Sequence, residues 1–126
     1  MANPNIVNVT TILGNSSQTS LTTTSVTSLV SNAASSNKVY KINSIVVANV
    51  DGTSAADITI NIYSNATAGS GSAFALASTI SVPADSTLIV TDKTTSFYLL
   101  ENQSIGAIAG TASDLVVTAS WEEINS

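Results

Sequence analysis

The sequence contains no cysteine, no histidine and no arginine, and its only cations are Lys38, Lys41 and Lys93. Without cysteine there is no disulfide framework, and nothing in the chain speaks to a redox compartment. Without histidine as well, a Ser-His-Asp triad, a Cys-His pair and the common zinc or haem sites are out of reach. Three lysines cannot build the patch that phosphate neutralisation requires, so nucleic acid is not an expected partner. The net charge of −5 argues equally against an anionic membrane surface. No stretch approaches 18 uninterrupted apolar residues, so no membrane-spanning segment is expected. The opening MANPNIVNVTT has neither a basic n-region nor an apolar h-region, so no conventional secretory signal is expected.

Charged residues make up only 9% of the 126 positions, against roughly 25% in an average soluble protein. Hydrophobic residues reach 44%, enough for one domain with a real core and too many for disorder. Ser and Thr, with Asn behind them, fill the place of charge. Such a surface has little electrostatic repulsion to keep copies apart and suits a protein packed against others. Carboxylate chemistry rests on Asp51, Asp57, Asp85, Asp92, Asp114, Glu101, Glu122 and Glu123. A glycosidase pair needs two carboxyls about 5–10 Å apart, but any eight acids can supply one. One Trp and three Tyr offer few sugar platforms. No enzyme activity and no cofactor are expected.

The hydrophobic pattern has a period of two. DITINIY puts Ile58, Ile60 and Ile62 on one face and Asp57, Thr59 and Asn61 on the other, the mark of a half-buried strand. LVVTASWE alternates likewise, with Leu115, Val117, Ala119 and Trp121 on one side. STISV, STLIVT, SFYLLE and SIGAIAG are shorter β-like runs, separated by turn signals at Pro83-Ala84-Asp85, Asp92-Lys93 and Glu101-Asn102. Close turn spacing predicts an all-β fold, an antiparallel β-sandwich of jelly-roll or Greek-key type with about eight strands. The Thr- and Val-rich run ending near residue 31 reads as a strand followed by a loop, with a helical turn around residues 31–35 as the competing reading. SNATAGSGSA, residues 64–73, reads as a loop joining two strands. It carries no GK[ST] and precedes no helix, so it is not a phosphate cradle.

Asp51, Gly52 and Asp57 suggest a calcium loop only superficially, because Ala55 and Ala56 break the ligand series. Asp-Gly is better explained as turn chemistry in a wide hairpin. Trp121 is expected in the core. The Asn-X-Ser/Thr triplets at Asn8, Asn15, Asn65 and Asn102 follow from composition. Residues 1–13 have strand character and form either an arm that pairs with a neighbouring subunit or an edge strand of their own sheet.

The runs KVYKINSIVVANVDGTSAADITINIY, TISVPADSTLIV, FYLLENQSI and SDLVVTASWEEI resemble small virion structural proteins of tailed bacteriophages. The opening MANPNIVNVTTILG is similar to the form seen in phages of marine cyanobacteria. The landmarks are the Val50-Asp51-Gly52-Thr53 turn, the Val82-Pro83-Ala84-Asp85 corner and the strand edge at residues 99–104; the strand after Ile105 lacks the basic residue that members often carry. The resemblance implies a non-enzymatic virion component made in the host bacterial cytoplasm, with a capsid decoration (cement) protein as the leading expectation. Neck, tail or fibre attachment, and a carbohydrate- or receptor-binding module using Asn65 or Tyr98, are the alternatives. The major capsid protein or other virion proteins are the expected partners, with a homotrimer on a local three-fold axis preferred. Contacts are expected from residues 3–12 and 19–27, namely Asn3, Asn5, Ile6, Val7, Val9, Ile12, Thr19, Leu21 and Thr23.

Overall fold

The computed structural model describes residues 4–125. The two-residue period becomes nine strands among them: β1 (Thr11–Ser20), β2 (Thr27–Asn32), β3 (Lys38–Asn49), β4 (Ala56–Tyr63), β5 (Ala73–Val82), β6 (Thr87–Thr91), β7 (Phe97–Leu99), β8 (Gln103–Ala109) and β9 (Leu115–Asn125). A short 3₁₀ turn, Lys93–Thr95, separates β6 from β7. The front sheet runs β1-β9-β3-β6, with β7 also beside β3, and the back sheet runs β2-β8-β4-β5. Every pairing is antiparallel. This order is the double Greek key of a jelly roll. The three-residue β7 accounts for one strand more than expected.

The inward positions are those that the alternation marks. Ile58 and Ile60 from β4 meet Ile42, Ile45 and Val47 from β3 and Leu115, Val117 and Ala119 from β9 in a single core. Trp121 closes this inner row, and Ile62 packs half-buried beside it. Jelly-roll connectivity sends most successive strands to opposite sheets, so the segment through Asp51-Gly52 is not the wide hairpin expected. β3 pairs with β9, β6 and β7, and β4 with β5 and β8, so residues 50–55 form a corner between sheets. Pro83-Ala84-Asp85 is a corner as expected, taking β5 in the back sheet to β6 in the front. Asp85 adopts φ 55° there, a conformation that Asp tolerates better than most residues.

A corner breaks the hydrogen-bond ladder, and its backbone groups then need other partners. Two buried asparagines supply them. Asn49 Nδ2 donates to Ser54 O at 3.0 Å and Val82 O at 2.9 Å, while its Oδ1 accepts from Asp51 N at 2.9 Å. Asn32 Nδ2 donates to Lys38 O at 3.0 Å and Leu99 O at 3.2 Å, and its Oδ1 accepts from Ser36 Oγ. The Ser/Thr-rich segment resolves into the end of β1, a loop over residues 21–26, and β2, followed by a turn rather than a helix.

The loop over residues 64–72 joins β4 and β5, as the sequence indicates. It folds onto the outer face of the back sheet. Ser104 Oγ donates to Asn65 O at 2.7 Å, and Asn102 Oδ1 accepts from Ala66 N at 3.2 Å. Beneath it sits Gly106. A Cβ at that position would lie 2.9 Å from Tyr63 Cε2, 3.0 Å from Val26 Cγ1 and 3.1 Å from Ala68 Cβ. Gly106→Ala is therefore expected to overpack this roof and cost about 1–3 kcal/mol. Urea unfolding of the two proteins measures it, and an unchanged midpoint contradicts the close packing.

Candidate interaction face

Among the described residues, the outer face of the front sheet has no such roof. Strand register builds it in ranks, because residues directly opposite in an antiparallel pair share a face. Ile12, Ile124 and Val39 form one rank; Gly14, Glu122, Lys41 and Tyr98 the next; then Ser16, Ser120 and Ser44. Gln18, Thr118, Val46 and Ile89 follow, and Ser20, Val116, Ala48 and Thr87 complete the face. All but Val39 and Ile124 are half-buried or exposed. The charges on these ranks are Lys41 and Glu122, cross-strand neighbours whose unlike signs offset one another. Glu122 Oε1 also accepts from Asn43 Nδ2 at 3.1 Å. The rest is hydroxyl, amide and aliphatic surface.

Val39 and Ile124 are buried at one end of this face, beside the amino-terminal arm. Pro4 is buried there, and Pro4, Ile6, Val39, Tyr98 and Leu100 line an open apolar cleft of about 210 Å³. Residues 4–10 are not the strand expected of them. Pro4 has no N–H to give to a ladder. Asn5 turns the chain by accepting Val7 N on its Oδ1 and Asn8 N on its carbonyl, each at 3.0 Å. Only from Thr11 onward is the segment a strand, and that strand is an edge of its own sheet. The turn leaves Ile6 52% and Val7 91% exposed, while Ile12 is 54% exposed.

The expected contact residues thus separate into groups. Asn3 lies outside the described residues. Ile6 and Ile12 fall on the same end of the front face, with Asn5 and Val7 on the adjoining turn and Val9 half-buried beside it. Thr19 is half-buried opposite Val117 on the inner side of β1, and Thr23 is exposed in the following loop. Leu21 is a correction. It is 0% exposed, fixed in the core by main-chain bonds with Leu115 and Ser113, and offers no side chain to a partner. Val39, Ile124 and Leu100 also border this end of the face, and the sequence reading did not single them out. The signal was present, because the β9 alternation slips after Trp121 and leaves Ile124 out of phase with the core residues.

The carboxylates and the half-buried phenol among the described residues sit in separate local settings. Asp51 Oδ1 accepts from Thr53 N and Thr53 Oγ1, and these bonds, the backbone one first, hold its carboxyl below the usual range. Asp92 is lowered in the same way, by the Thr94 hydroxyl and then Thr94 N. Asp57 stands apart on β4, and no three Asp or Glu gather among the described residues. Tyr40 stacks on Trp121 with ring centres 6.3 Å apart, and burial, then the nearby Glu123, raises its phenol. Glu123 is ion-paired with Lys38 at 3.3 Å and accepts from Asn15 Nδ2. Asn65 belongs to the back-sheet roof and Tyr98 to the front face, so the two do not share one glycan site.

Glu101, in the turn between β7 and β8, is buried with both carboxylate oxygens lacking a hydrogen-bond partner among the described residues. An unsatisfied buried polar group costs about 1–3 kcal/mol, more when charged. Glu101→Met, of similar reach and no charge, should raise stability by about 1–3 kcal/mol. A lower urea midpoint for that variant would show that the Glu101 carboxylate makes a stabilising contact and contradict the unpartnered reading.

Comparison with known proteins gives a fold and no family. No family model matches the chain, and no curated protein matches its sequence. A solved structure from work on Bacillus endospore appendages, described as a novel family of disulfide-linked pili, matches with a TM-score of 0.54 and 18% identity. The match covers 92% of this chain and 90% of that one. At that identity the likeness shows a shared all-β architecture over nearly the full length of both chains.

Proposed function

We propose that this chain is a non-enzymatic structural protein that docks on a protein lattice, and that the lattice is a bacteriophage head. The observation that carries the reading is the front face: five ranks of small polar and aliphatic residues with one offset pair of charges. Such a face can lie against another protein without burying unpaired charge. The arm cleft adds apolar area at its edge, where Ile6, Ile12 and Leu100 are exposed. The resemblance to virion proteins of tailed phages directs the reading to the capsid, and decoration is its specific form. Binding across many equivalent sites stabilises the assembled shell by mass action.

The structural neighbour is itself an appendage protein, which is compatible with a scaffold role for the fold. Its described disulfide linkage has no counterpart here, because this chain has no cysteine. Attachment at a neck, tail or fibre is the second reading. Its support is the arm's exposed Ile6 and Val7, an apolar tip small enough for a single partner to cover.

Heads assembled without the protein should lose resistance to heat and osmotic shock, and adding it back should restore it. Thr118→Asp, placed mid-face, should abolish restoration while leaving the fold intact by circular dichroism. Unchanged resistance in heads lacking the protein sinks the decoration role. A copy number in units or tens by quantitative mass spectrometry favours the tail.

A further inference from the structure

We infer that β1 is a self-association edge: two copies join by antiparallel pairing of β1 with β1 across a two-fold axis, merging their front sheets into one. Among the described residues the four sheet edges are β1, β6, β2 and β5, with β7 alongside β6. Natural edge strands are guarded by shortness, bulges, proline or charge, because open N–H and C=O groups accept any passing strand. Three of the four carry such devices. β6 is five residues long with an irregularity against β3. β2 is six residues with a register shift between Ser28 and Val30. β5 is broken by two register shifts and by Thr79 at φ 51°.

β1 carries none of them. Its ten residues, TILGNSSQTS, hold no charge and no proline, and they pair with β9 from Thr11 to Ser20 without a shift. Eight of the ten are exposed. The strand that matches this edge in length and regularity is a second β1. Because it is uncharged, no homotypic register sets like charges opposite one another, so nothing in the strand opposes its own copy. Opposed residues must share a face, so the axis passes through a residue and not between two. Maximum overlap then centres the pair on Asn15 or Ser16. Pairing would also bring Ile12 and Leu13, 54% and 57% exposed, beside the far end of the partner's strand. This interface is isologous and closes at two copies, unlike the three-fold ring expected from the sequence. It concerns the isolated protein and does not depend on the head-binding reading.

Sedimentation velocity of the full chain tests it. The protein should move from monomer to dimer as concentration rises towards about 1 mM. Ser16→Lys with Gln18→Lys, both exposed positions on the outer side of β1, should keep the fold and abolish the dimer. Ala75→Lys with Ser81→Lys on β5 should leave it. The native absence of cysteine allows a second readout, in which Asn15→Cys or Ser16→Cys forms an intermolecular disulfide on mild oxidation and Thr53→Cys does not. A protein that stays monomeric at the highest concentration overturns the proposal. So does a dimer that survives the β1 lysines and dissociates with the β5 lysines, or one in which neither β1 cysteine cross-links.

Discussion

The fold depends on holding its corners. In a jelly roll most strands hand the chain to the opposite sheet, and each crossing strips backbone groups of their ladder partners. Asn49 answers this with three hydrogen bonds that join the end of β3, the Asp51-Gly52 corner and the last carbonyl of β5. Asn32 does the same for the end of β2, the start of β3 and β7. A carboxamide is suited to the task, offering two donors and an acceptor without charge in a buried place. The large apolar side chains supply the driving force. The two amides help to decide that it folds them into one topology, since each ties together segments distant in sequence.

Once the corners are set, the two outer faces diverge. The back sheet is closed by the loop over residues 64–72, which packs down on Gly106 where only hydrogen leaves room. The front sheet stays open among the described residues, and its ranks are sparse in charge. Water solvates Ser and Thr hydroxyls adequately, yet removing them from water against another protein costs far less than removing carboxylates or ammonium groups. The low charge that makes the composition unusual is shared by this face. At its end the arm supplies what a flat face lacks, exposed aliphatic groups around a cleft.

Much of this was legible in the residues. The Ile58–Ile60–Ile62 and Leu115–Val117–Ala119–Trp121 alternations fix strand type and inner face by themselves, because a period of two admits one reading. Turn residues placed the corner at Pro83. What stayed hidden depended on non-local partners. Nothing in Val50-Asp51-Gly52-Thr53 tells a hairpin from a sheet-to-sheet corner, since the difference lies in which distant strands pair with β3 and β4. Leu21 looked like one residue in an exposed Ser/Thr run, and only its bonds to Leu115 and Ser113 draw it inside. The strand-like arm failed locally, where Asn5 captured the backbone of Val7 and Asn8 in a turn. The apolar end of the front face was half visible: Ile6 and Ile12 could be named, but Val39 and Ile124 joined them only through register.

If the chain docks as proposed, the front face, rather than the roofed back sheet, meets the partner. A cryo-EM map of purified particles tests it most directly. Density for this jelly roll is expected in many copies on the head lattice, with the ranks around Ser120 and Thr118 turned onto the shell and the residue 64–72 loop facing solvent. Density with the front face in solvent, or found only at the neck or tail, would contradict it.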